Sequence, residues 1–434
     1  MIRQVSRCCA AVLGFGLGLS ACVVVHHHHT QPAEGGDATG GDPSSGGTPG
    51  QGGTTAASSA GGTKAASSGG TKAVSSGGTK AASSGGTKAA SSAVSLPVHD
   101  AKPVLPGCAA AATPVETHGA LAVDGPTLID KCGGGVQLKG VSSMWLNWES
   151  KGFAESKSGL QYMRDNWKLS VIRASMGTEN QGGYLTGAAN QSSMQNKVNT
   201  IVQNAIDSGV YVIIDWHTQV AVNQQADAVS FFTSMAQKWG KYPNVIFEPY
   251  NEPLNFTWTQ VKAYHQAVVQ AIRGQGSNNI IVLGTTTYSQ DVDIAAADPV
   301  SGTNLMYTLH FYACTHGTTI RNRAEKAIAA GLPVFITEFG ATPADGGLVS
   351  KGDNYICKND TNLWFDWIAT HNLSAISWKL EQCTDSSCIL ASSAPVDGPW
   401  PDNQLTSDAS SVEIRPTLLQ GGGHGLFIVN WLRQ

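Results

Sequence analysis

Charged residues are scarce in this chain, and their scarcity limits what the protein can bind. Asp, Glu, Lys and Arg make up 13% of the 434 residues, against about 25% in ordinary soluble domains. Glycine is abundant, with 50 residues, so we expect a long uncharged tract outside the folded part. The formal net charge of −4 gives no basis for binding nucleic acid or an anionic membrane surface.

Cofactor motifs are missing as well. No glycine-rich phosphate loop follows the first predicted strand, and the histidines predicted at strand ends lack close metal-ligand spacing. The run His26 to His29 is interpreted as solvated rather than as a metal site. We therefore expect neither a cofactor nor a metal ion.

The first 22 residues resemble an export signal. Arg3 and Arg7 precede an apolar run over residues 9–19, and Leu-Ser-Ala then leads to Cys22. The run is too short to span a membrane as a mature helix. Its ending resembles the bacterial lipoprotein cleavage box, which implies lipidation of Cys22; the alternative is ordinary secretion with cleavage nearby. We expect an exported protein, secreted or passing through a membrane-anchored intermediate, whose membrane contact is a lipid on Cys22.

Residues 23–104 are predicted to be a disordered linker. Gly, Ser, Thr and Ala dominate, and an eight-residue unit close to Ala-Ala-Ser-Ser-Gly-Gly-Thr-Lys repeats from Ala57. A period of eight fits neither helix nor strand, and the tract has almost nothing apolar to bury. The predicted folded domain is 105–434, a length suited to one α/β barrel, which we expect to act as a monomer.

Six cysteines remain after the signal, an even number that favours disulfides in an exported chain. Cys383 and Cys388 flank a short polar loop and are predicted to pair. Cys108 and Cys132 bracket a predicted N-terminal hairpin and are expected to pair too, which leaves Cys314 with Cys357; the alternative for these last two is that both are free thiols.

Strand and helix patterns alternate along the folded domain. Eight apolar runs are typical of buried strands, and they are separated by stretches of helical length such as 197–207 and 258–272. The predicted strands are 136–141, 171–172, 210–214, 245–247, 280–283, 305–309, 334–336 and 375–378. Eight alternating units predict a (β/α)8 TIM barrel, preceded by a small β-hairpin between Leu121 and Val136.

Polar and aromatic side chains recur where these strands end. They are Arg173, Asp215-Trp216-His217, Asn251-Glu252, His310-Phe311-Tyr312, Glu338 and Trp378. The carboxyl ends of barrel strands share one face, where barrel enzymes keep their chemistry. Two acids, orienting hydrogen-bond donors and an aromatic floor are the content of a sugar-cleaving site.

Residues 145–390 resemble the catalytic domain of glycoside hydrolase family 5, the bacterial endo-β-1,4-glucanases. The matching stretches are MRDNWKLSVIRASM, GVYVIIDWHT, YPNVIFEPYNEP, NNIIVLGTTTYSQDV, LMYTLHFYACTHG and PVFITEFGAT. The resemblance implies that Glu252, in Asn-Glu-Pro, is the acid/base and that Glu338 is the nucleophile. It further implies supporting or sugar-binding roles for Arg173, His217, Asn251, His310, Tyr312, Trp378 and Trp148.

The expected activity is retaining, endo-acting hydrolysis of β-1,4-glucosidic bonds in cellulose and related β-glucans. Two alternatives stay open. The first is that the chain is a β-mannanase or xyloglucanase, since fold does not fix substrate. The second is that it is a non-catalytic sugar-binding lipoprotein. The presence of both Glu252 and Glu338 disfavours the latter. Residues 426–432 are apolar enough to pack on the barrel, although Pro416 and Gly421 to Gly423 interrupt a closing helix.

Overall fold

The computed structural model describes residues 106–344, 346–347, 355–383, 385–407, 413–414 and 424–434. The predicted signal at 1–22, including Cys22, and the predicted linker at 23–104 lie outside these residues. So do Pro416 and Gly421 to Gly423.

The chain forms a closed barrel of eight parallel strands, which confirms the predicted fold. Twelve strands are described: β1 (Ala122–Asp124), β2 (Thr127–Ile129), β3 (Lys139–Ser143), β4 (Val171–Gly177), β5 (Tyr211–His217), β6 (Val245–Glu248), β7 (Ile281–Leu283), β8 (Leu305–Tyr312), β9 (Val334–Gly340), β10 (Ile356–Cys357), β11 (Ala375–Leu380) and β12 (Glu413–Ile414). The barrel runs β11-β3-β4-β5-β6-β7-β8-β9, and β11 pairs with β3 to close it.

Helices connect these strands and cover the barrel. They are α1 (Pro114–His118), α2 (Lys157–Tyr162), α3 (Ala188–Ser208), α4 (Gln225–Trp239), α5 (Trp258–Arg273), α6 (Thr286–Ser289), α7 (Val292–Ala297), α8 (Thr318–Ala329), α9 (Lys358–Thr370) and α10 (Gly425–Leu432). The two helices predicted from periodicity fall within α3 and α5. In the part of the chain that is described, no helix has the length and apolarity needed to cross a membrane.

The N-terminal hairpin is formed by β1 and β2, which pair antiparallel as predicted. The first barrel strand begins at Lys139 rather than at Val136. The reason is local: the Val136 amide bonds to the Leu128 carbonyl of the hairpin at 2.8 Å, and the Leu138 amide bonds to the Ser374 hydroxyl at 2.9 Å. These residues therefore join the hairpin to the base of the barrel.

Alternating burial along the strands divides the apolar core in two. Residues such as Val171, Ile213 and Ile246 pack in one cluster, and their sequence neighbours Ile172 and Val212 pack in the other with the helices. Neighbouring strand residues point to opposite faces, so one cluster fills the barrel and the other lies between barrel and helices. A filled barrel is a rigid base for the residues at its carboxyl end.

The C-terminal residues 425–432 form α10 and pack on the barrel. The Trp431 ring stacks on Phe365 of α9 at 4.8 Å between ring centroids and meets Phe339 of β9 edge-on at 5.2 Å. Ile428 and Val429 are also buried. The apolar tail thus packs on the barrel as expected, and it does so as a helix near β9, which the sequence did not specify.

All three predicted disulfides are present. Cys108 pairs with Cys132, Cys314 with Cys357 and Cys383 with Cys388, with Cα–Cα separations of 5.3, 5.3 and 5.8 Å. The first fastens the segment before α1 to the hairpin. The other two lie in connections at the carboxyl ends of β8, β9 and β11, close to the predicted site.

Candidate active site

The side chains predicted at the strand ends meet at the carboxyl end of the barrel. Arg173, His217, Glu338 and Trp378 lie on β4, β5, β9 and β11, and His310 and Tyr312 lie on β8. Asn251 and Glu252 lie three and four residues beyond Glu248, the last residue of β6. Arg173 does not end its strand as expected, because β4 continues to Gly177. Its side chain nevertheless points into the same cluster.

Glu252 is fixed by its main chain and by a histidine. The amides of Asn251 and Glu252 bond to the carbonyls of Trp216 and Thr218, each at 3.3 Å, which ties the end of β6 to the end of β5. His310 Nδ1 lies 2.9 Å from Glu252 Oε1. The Glu252 carboxyl is therefore held at the mouth of the barrel with one oxygen against an imidazole.

Glu338 is bound by two donors. Arg173 Nη1 donates to Glu338 Oε2 at 3.0 Å, and the Tyr312 hydroxyl donates to Glu338 Oε1 at 2.6 Å. Burial, with Glu338 and Glu252 nearby, raises the pKa of Tyr312 well above its usual value, so the phenol stays protonated and donates. The two bonds engage both carboxyl oxygens and fix the orientation of the Glu338 side chain.

The two carboxyl groups are close enough for a covalent mechanism. Oxygens of Glu252 and Glu338, together with a His310 ring nitrogen, lie within 4.8 Å of one another. Retaining glycosidases hold their carboxyls about 5–5.5 Å apart, whereas inverting enzymes need about 6.5–9.5 Å to admit a water molecule. The separation in this chain therefore fits retention.

Arg173 sits at the centre of a cluster of acids. Besides Glu338, its guanidinium bonds to Glu248 Oε2 at 2.7 Å, to Asp215 Oδ2 at 2.9 Å and to Asn251 Oδ1 at 2.6 Å. Burial lowers the pKa of Arg173, but the three carboxylates more than offset this, and the net shift is upward. Arg173 is thus permanently charged.

Burial acts differently on the acids themselves. It raises the pKa of Asp215 to about 8 and that of Glu248 to about 7, although Arg173 opposes both shifts. One guanidinium does not fully offset the burial of Asp215 and Glu248, so both pKa values stay above their usual range.

His217 is neutral and takes one tautomer. Burial lowers its pKa well below the usual value, and Arg173 adds to the shift. Nδ1 lies 2.6 Å from Asp215 Oδ2, and the Asn251 amide nitrogen lies 3.4 Å from Nε2. Nδ1 therefore donates to Asp215 and Nε2 accepts from Asn251, which fixes the Asn251 amide between His217 and Arg173.

Aromatic rings extend from the site along one wall. Trp378 stacks on His217 with 5.4 Å between ring centroids, Trp145 meets His217 edge-on at 4.3 Å, and Trp148 stacks on Trp145 at 4.8 Å. Trp378 is buried, while the Trp148 residue is 41% exposed. A row of rings ending in an exposed indole is a surface suited to the apolar faces of sugar rings.

Sequence reasoning missed several members of the site. Glu248 and Thr337 directly follow two predicted strands but received no role, Trp145 received none either, and Asp215 was named at a strand end without one. Glu248 and Asp215 each follow an apolar run on a buried strand, a pattern that is compatible with a buried acid. Nothing in the sequence separates such an acid from one that caps a strand.

A left-handed turn adds one more side chain near Glu252. Thr287, Tyr288 and Ser289 in α6 have φ of 56°, 56° and 58°, a conformation unfavourable for residues with a Cβ. The Ser289 hydroxyl bonds to the Asn251 carbonyl at 2.7 Å and the Tyr288 amide to the Pro253 carbonyl at 3.2 Å. Burial, then the charge of Glu252, raises the pKa of Tyr288.

Three groups in the described residues combine enough acids, histidines or cysteines to hold a metal ion. Two of them rely on cysteines that are disulfide-bonded, Cys108 with Cys132 and Cys383 with Cys388. The third is Glu252, His310 and Glu338. The side-chain atoms of these three residues already form hydrogen bonds with one another or with Arg173 and Tyr312. Hydrogen bonding within the protein therefore accounts for their close approach.

A pair of buried acids at the carboxyl end of a closed (β/α)8 barrel is the arrangement that glycoside hydrolases use. Residues 129–384, more than half of the chain, match the family described as Cellulase (glycosyl hydrolase family 5). The chain belongs to that family.

Known relatives agree with this assignment. An endoglucanase of Clostridium saccharobutylicum is 41% identical over 68% of this chain and 64% of its own length, and endoglucanase N of Pectobacterium atrosepticum is 37% identical over 73% and 70%. The catalytic domain of Thermobifida fusca endoglucanase Cel5A superposes with a TM-score of 0.64 at 27% identity. The match covers 74% of this chain and 100% of that domain. The chain spans 64% and 57% of the first two curated relatives.

Proposed function

We propose that this protein is an endo-β-1,4-glucanase that cleaves internal bonds of cellulose and related β-glucans with retention. The observation that carries the proposal is the placement of Glu252 and Glu338 oxygens within 4.8 Å of each other. The relatives named endoglucanase support the substrate class, and they disfavour mannan or xyloglucan as the main substrate.

The proposed roles follow from the two environments. Glu338, held by Arg173 and Tyr312, attacks the anomeric carbon and forms a glycosyl-enzyme. Glu252 protonates the leaving oxygen and then deprotonates the incoming water. Asn251 binds the 2-hydroxyl, and Trp378, Trp145 and Trp148 contact sugar rings.

The direct test compares polysaccharides. Purified protein is incubated with carboxymethyl-cellulose, mannan and xyloglucan, and reducing ends and viscosity are followed together. We expect reducing ends mainly from carboxymethyl-cellulose, with viscosity falling early because internal bonds are cut. The Glu338→Gln variant, which preserves shape, is the control for contaminating activity. Preferential release from mannan or xyloglucan would overturn the glucanase proposal, and release from none of the three would favour a binding protein.

Removing the exposed indole should weaken substrate binding. We expect Trp148→Ala to raise KM for long cello-oligosaccharides roughly 5- to 30-fold, equivalent to about 1–2 kcal/mol. The value of kcat should change little, because Trp148 stacks on Trp145 and has no role in aligning the two carboxyls. Leu363→Ala is the control, since Leu363 is 55% exposed on α9. An unchanged KM for Trp148→Ala would contradict a sugar contact at this position.

We also propose that the chain is exported and lipidated on Cys22, with residues 23–104 acting as a spacer and the catalytic domain as a monomer. The Leu-Ser-Ala-Cys sequence supports the anchor. In a bacterial host, labelled palmitate should enter the wild type and not Cys22→Ser, and the variant should change its processing or location. Equal labelling of both proteins would refute lipidation at Cys22.

A further inference from the structure

A buried chain of hydrogen bonds connects Glu252 to Glu248. His310 Nδ1 lies 2.9 Å from Glu252 Oε1, and His310 Nε2 lies 2.9 Å from the Thr337 hydroxyl oxygen. The same hydroxyl lies 2.6 Å from Glu248 Oε1. Glu248, Thr337 and His310 are each at most 1% exposed, so water does not substitute for any of these bonds.

Each link of this chain constrains the next. Arg173 donates to both Glu248 oxygens, which favours the ionised carboxylate. Ionised Glu248 is only an acceptor, so Thr337 donates the one hydrogen that their oxygens, 2.6 Å apart, share. Having used its single hydrogen, Thr337 accepts from its other neighbours, the Thr308 hydroxyl and His310 Nε2. His310 therefore carries its proton on Nε2.

The tautomer of His310 then determines the state of Glu252. Burial lowers the pKa of His310 to about 4, so near neutral pH the ring carries one proton. With that proton on Nε2, Nδ1 is an acceptor. The 2.9 Å contact with Glu252 Oε1 is a hydrogen bond only if Glu252 donates, which requires a protonated carboxyl.

We propose that Glu248 and Glu252 share one proton through Thr337 and His310, and that ionised Glu248 keeps that proton on Glu252. Glu248 is thus a positioning residue that acts on the acid/base through two other side chains. This inference rests on the proposed function of Glu252 and deepens it.

The alternative arrangement of the same chain moves the proton to Glu248. Glu252 gives its proton to His310 Nδ1, His310 Nε2 gives its proton to Thr337, and Thr337 gives its hydrogen to Glu248. His310 and Thr337 end neutral, and one proton has passed between the two carboxyls. Burial raises the pKa of Glu248 to about 7 against the opposing effect of Arg173, so this arrangement is accessible near neutral pH.

Arg173 determines which arrangement is favoured. Its Nε and Nη2 donate to the two Glu248 oxygens at 2.7 and 3.3 Å, and both bonds favour ionised Glu248.

When Glu252 has protonated a leaving group, the Nδ1 lone pair of His310 faces the Glu252 carboxylate. That repulsion strengthens Glu252 as the base for the second step. The other titratable groups facing this pair from neighbouring elements are Arg173, Asp215, His217, Tyr288, Tyr312 and Glu338.

Glu248→Gln should reverse the direction of the hydrogen bonds between residue 248, Thr337 and His310. The shorter Arg173 bond, from Nε to Oε2 at 2.7 Å, requires the amide oxygen at Oε2. The amide NH2 then replaces Oε1 beside Thr337 and donates to it, and the longer Arg173 Nη2 contact to Oε1 at 3.3 Å is lost. Thr337 must then donate onward, either to Thr308 or to His310. The Thr308→Val background removes the first choice, so in Glu248→Gln/Thr308→Val the hydrogen goes to His310 Nε2 and the ring proton moves to Nδ1, where it stabilises ionised Glu252.

Ring nitrogen-15 NMR shifts report the tautomer directly, with the His310 signals assigned by their loss in His310→Gln. We expect the Nε2–H tautomer in the wild type and in Thr308→Val, and the Nδ1–H tautomer in the double variant. Unchanged thermal unfolding would show that each variant is folded. The same tautomer in all three folded proteins overturns the proposal, whatever substrate the enzyme hydrolyses.

The pH profile supplies a second readout. With phenyl β-cellobioside, whose leaving group needs a proton, the basic limb of kcat/KM should move to lower pH by about one unit in the double variant relative to Thr308→Val. With 2,4-dinitrophenyl β-cellobioside, which needs no proton, the limb should not move. Adding Thr337→Val to both proteins cuts the chain and should abolish the shift; a shift that persists there contradicts transmission through Thr337. Absence of hydrolysis would refute the glucanase proposal alone, because the NMR result would still test the chain.

Discussion

Replacing Glu338 with glycine is expected to abolish turnover of β-glucan while leaving the barrel folded. Glu338 is 4% exposed and accepts hydrogen bonds from Arg173 and Tyr312, so its carboxyl group is held in a fixed orientation. Without it no glycosyl-enzyme forms. A loss of about 10⁵-fold in kcat would correspond to roughly 7 kcal/mol of lost transition-state stabilisation.

Azide distinguishes a lost nucleophile from a damaged site. In Glu338→Gly, azide can occupy the vacated space and attack an activated β-glycoside from the α face, which gives an α-glycosyl azide. Proton NMR of the product identifies the anomer. Tyr312→Phe is the companion variant, because it removes one bond to Glu338 and keeps the carboxylate. We expect it to lose activity partially and to form no azide product. A β-glycosyl azide from Glu338→Gly would transfer the nucleophile role to Glu252.

The eight barrel strands were predictable because they are buried on both sides. Runs such as Val245 to Phe247 and Val334 to Ile336 are continuously apolar, as a strand in a covered parallel sheet must be. Polar residues at the ends of these runs then stand out, which is why Arg173, His217, Glu252 and Glu338 were found together. The Cys383–Cys388 disulfide followed from chain proximity, since the two residues are five apart, whereas Cys314 and Cys357, 43 residues apart, were paired only because they remained.

The rest of the site depends on contacts that have no local signature. Glu248 lies only four residues before Glu252, yet its importance arises from Arg173 on β4 and Thr337 on β9. The sequence around Thr337 is typical of a strand and does not distinguish this residue from its neighbours. Its hydroxyl contributes to the site because His310 Nε2 lies within hydrogen-bond distance of it. The left-handed turn at Tyr288 was hidden as well, because glycine is the usual marker of positive φ and none of its three residues is glycine.

Glu252→Ala is expected to show a different defect, one that depends on the leaving group. Glu252 is bonded to His310 and follows Asn251 at the end of β6, where its proton would meet the leaving oxygen. A substrate with a poor leaving group should lose several orders of magnitude in kcat/KM. A 2,4-dinitrophenyl glycoside needs no proton, so it should still form the glycosyl-enzyme with Glu338, and hydrolysis of that intermediate should become rate-limiting.

Azide should rescue that second step from the opposite face. Its attack on the α-linked intermediate of Glu252→Ala yields a β-glycosyl azide, the reverse of the Glu338→Gly product, so the two anomers assign the two carboxyls independently of any relative. Glu252→Gln is the matched control: it keeps the size of the side chain, cannot transfer the proton, and fills the space azide requires, so the rescue should shrink. If Glu252→Ala slowed good and poor leaving groups equally, the acid/base role would belong to another residue. An inverted product from the wild type would exclude the covalent mechanism, because attack by Glu338 followed by water must restore the β configuration.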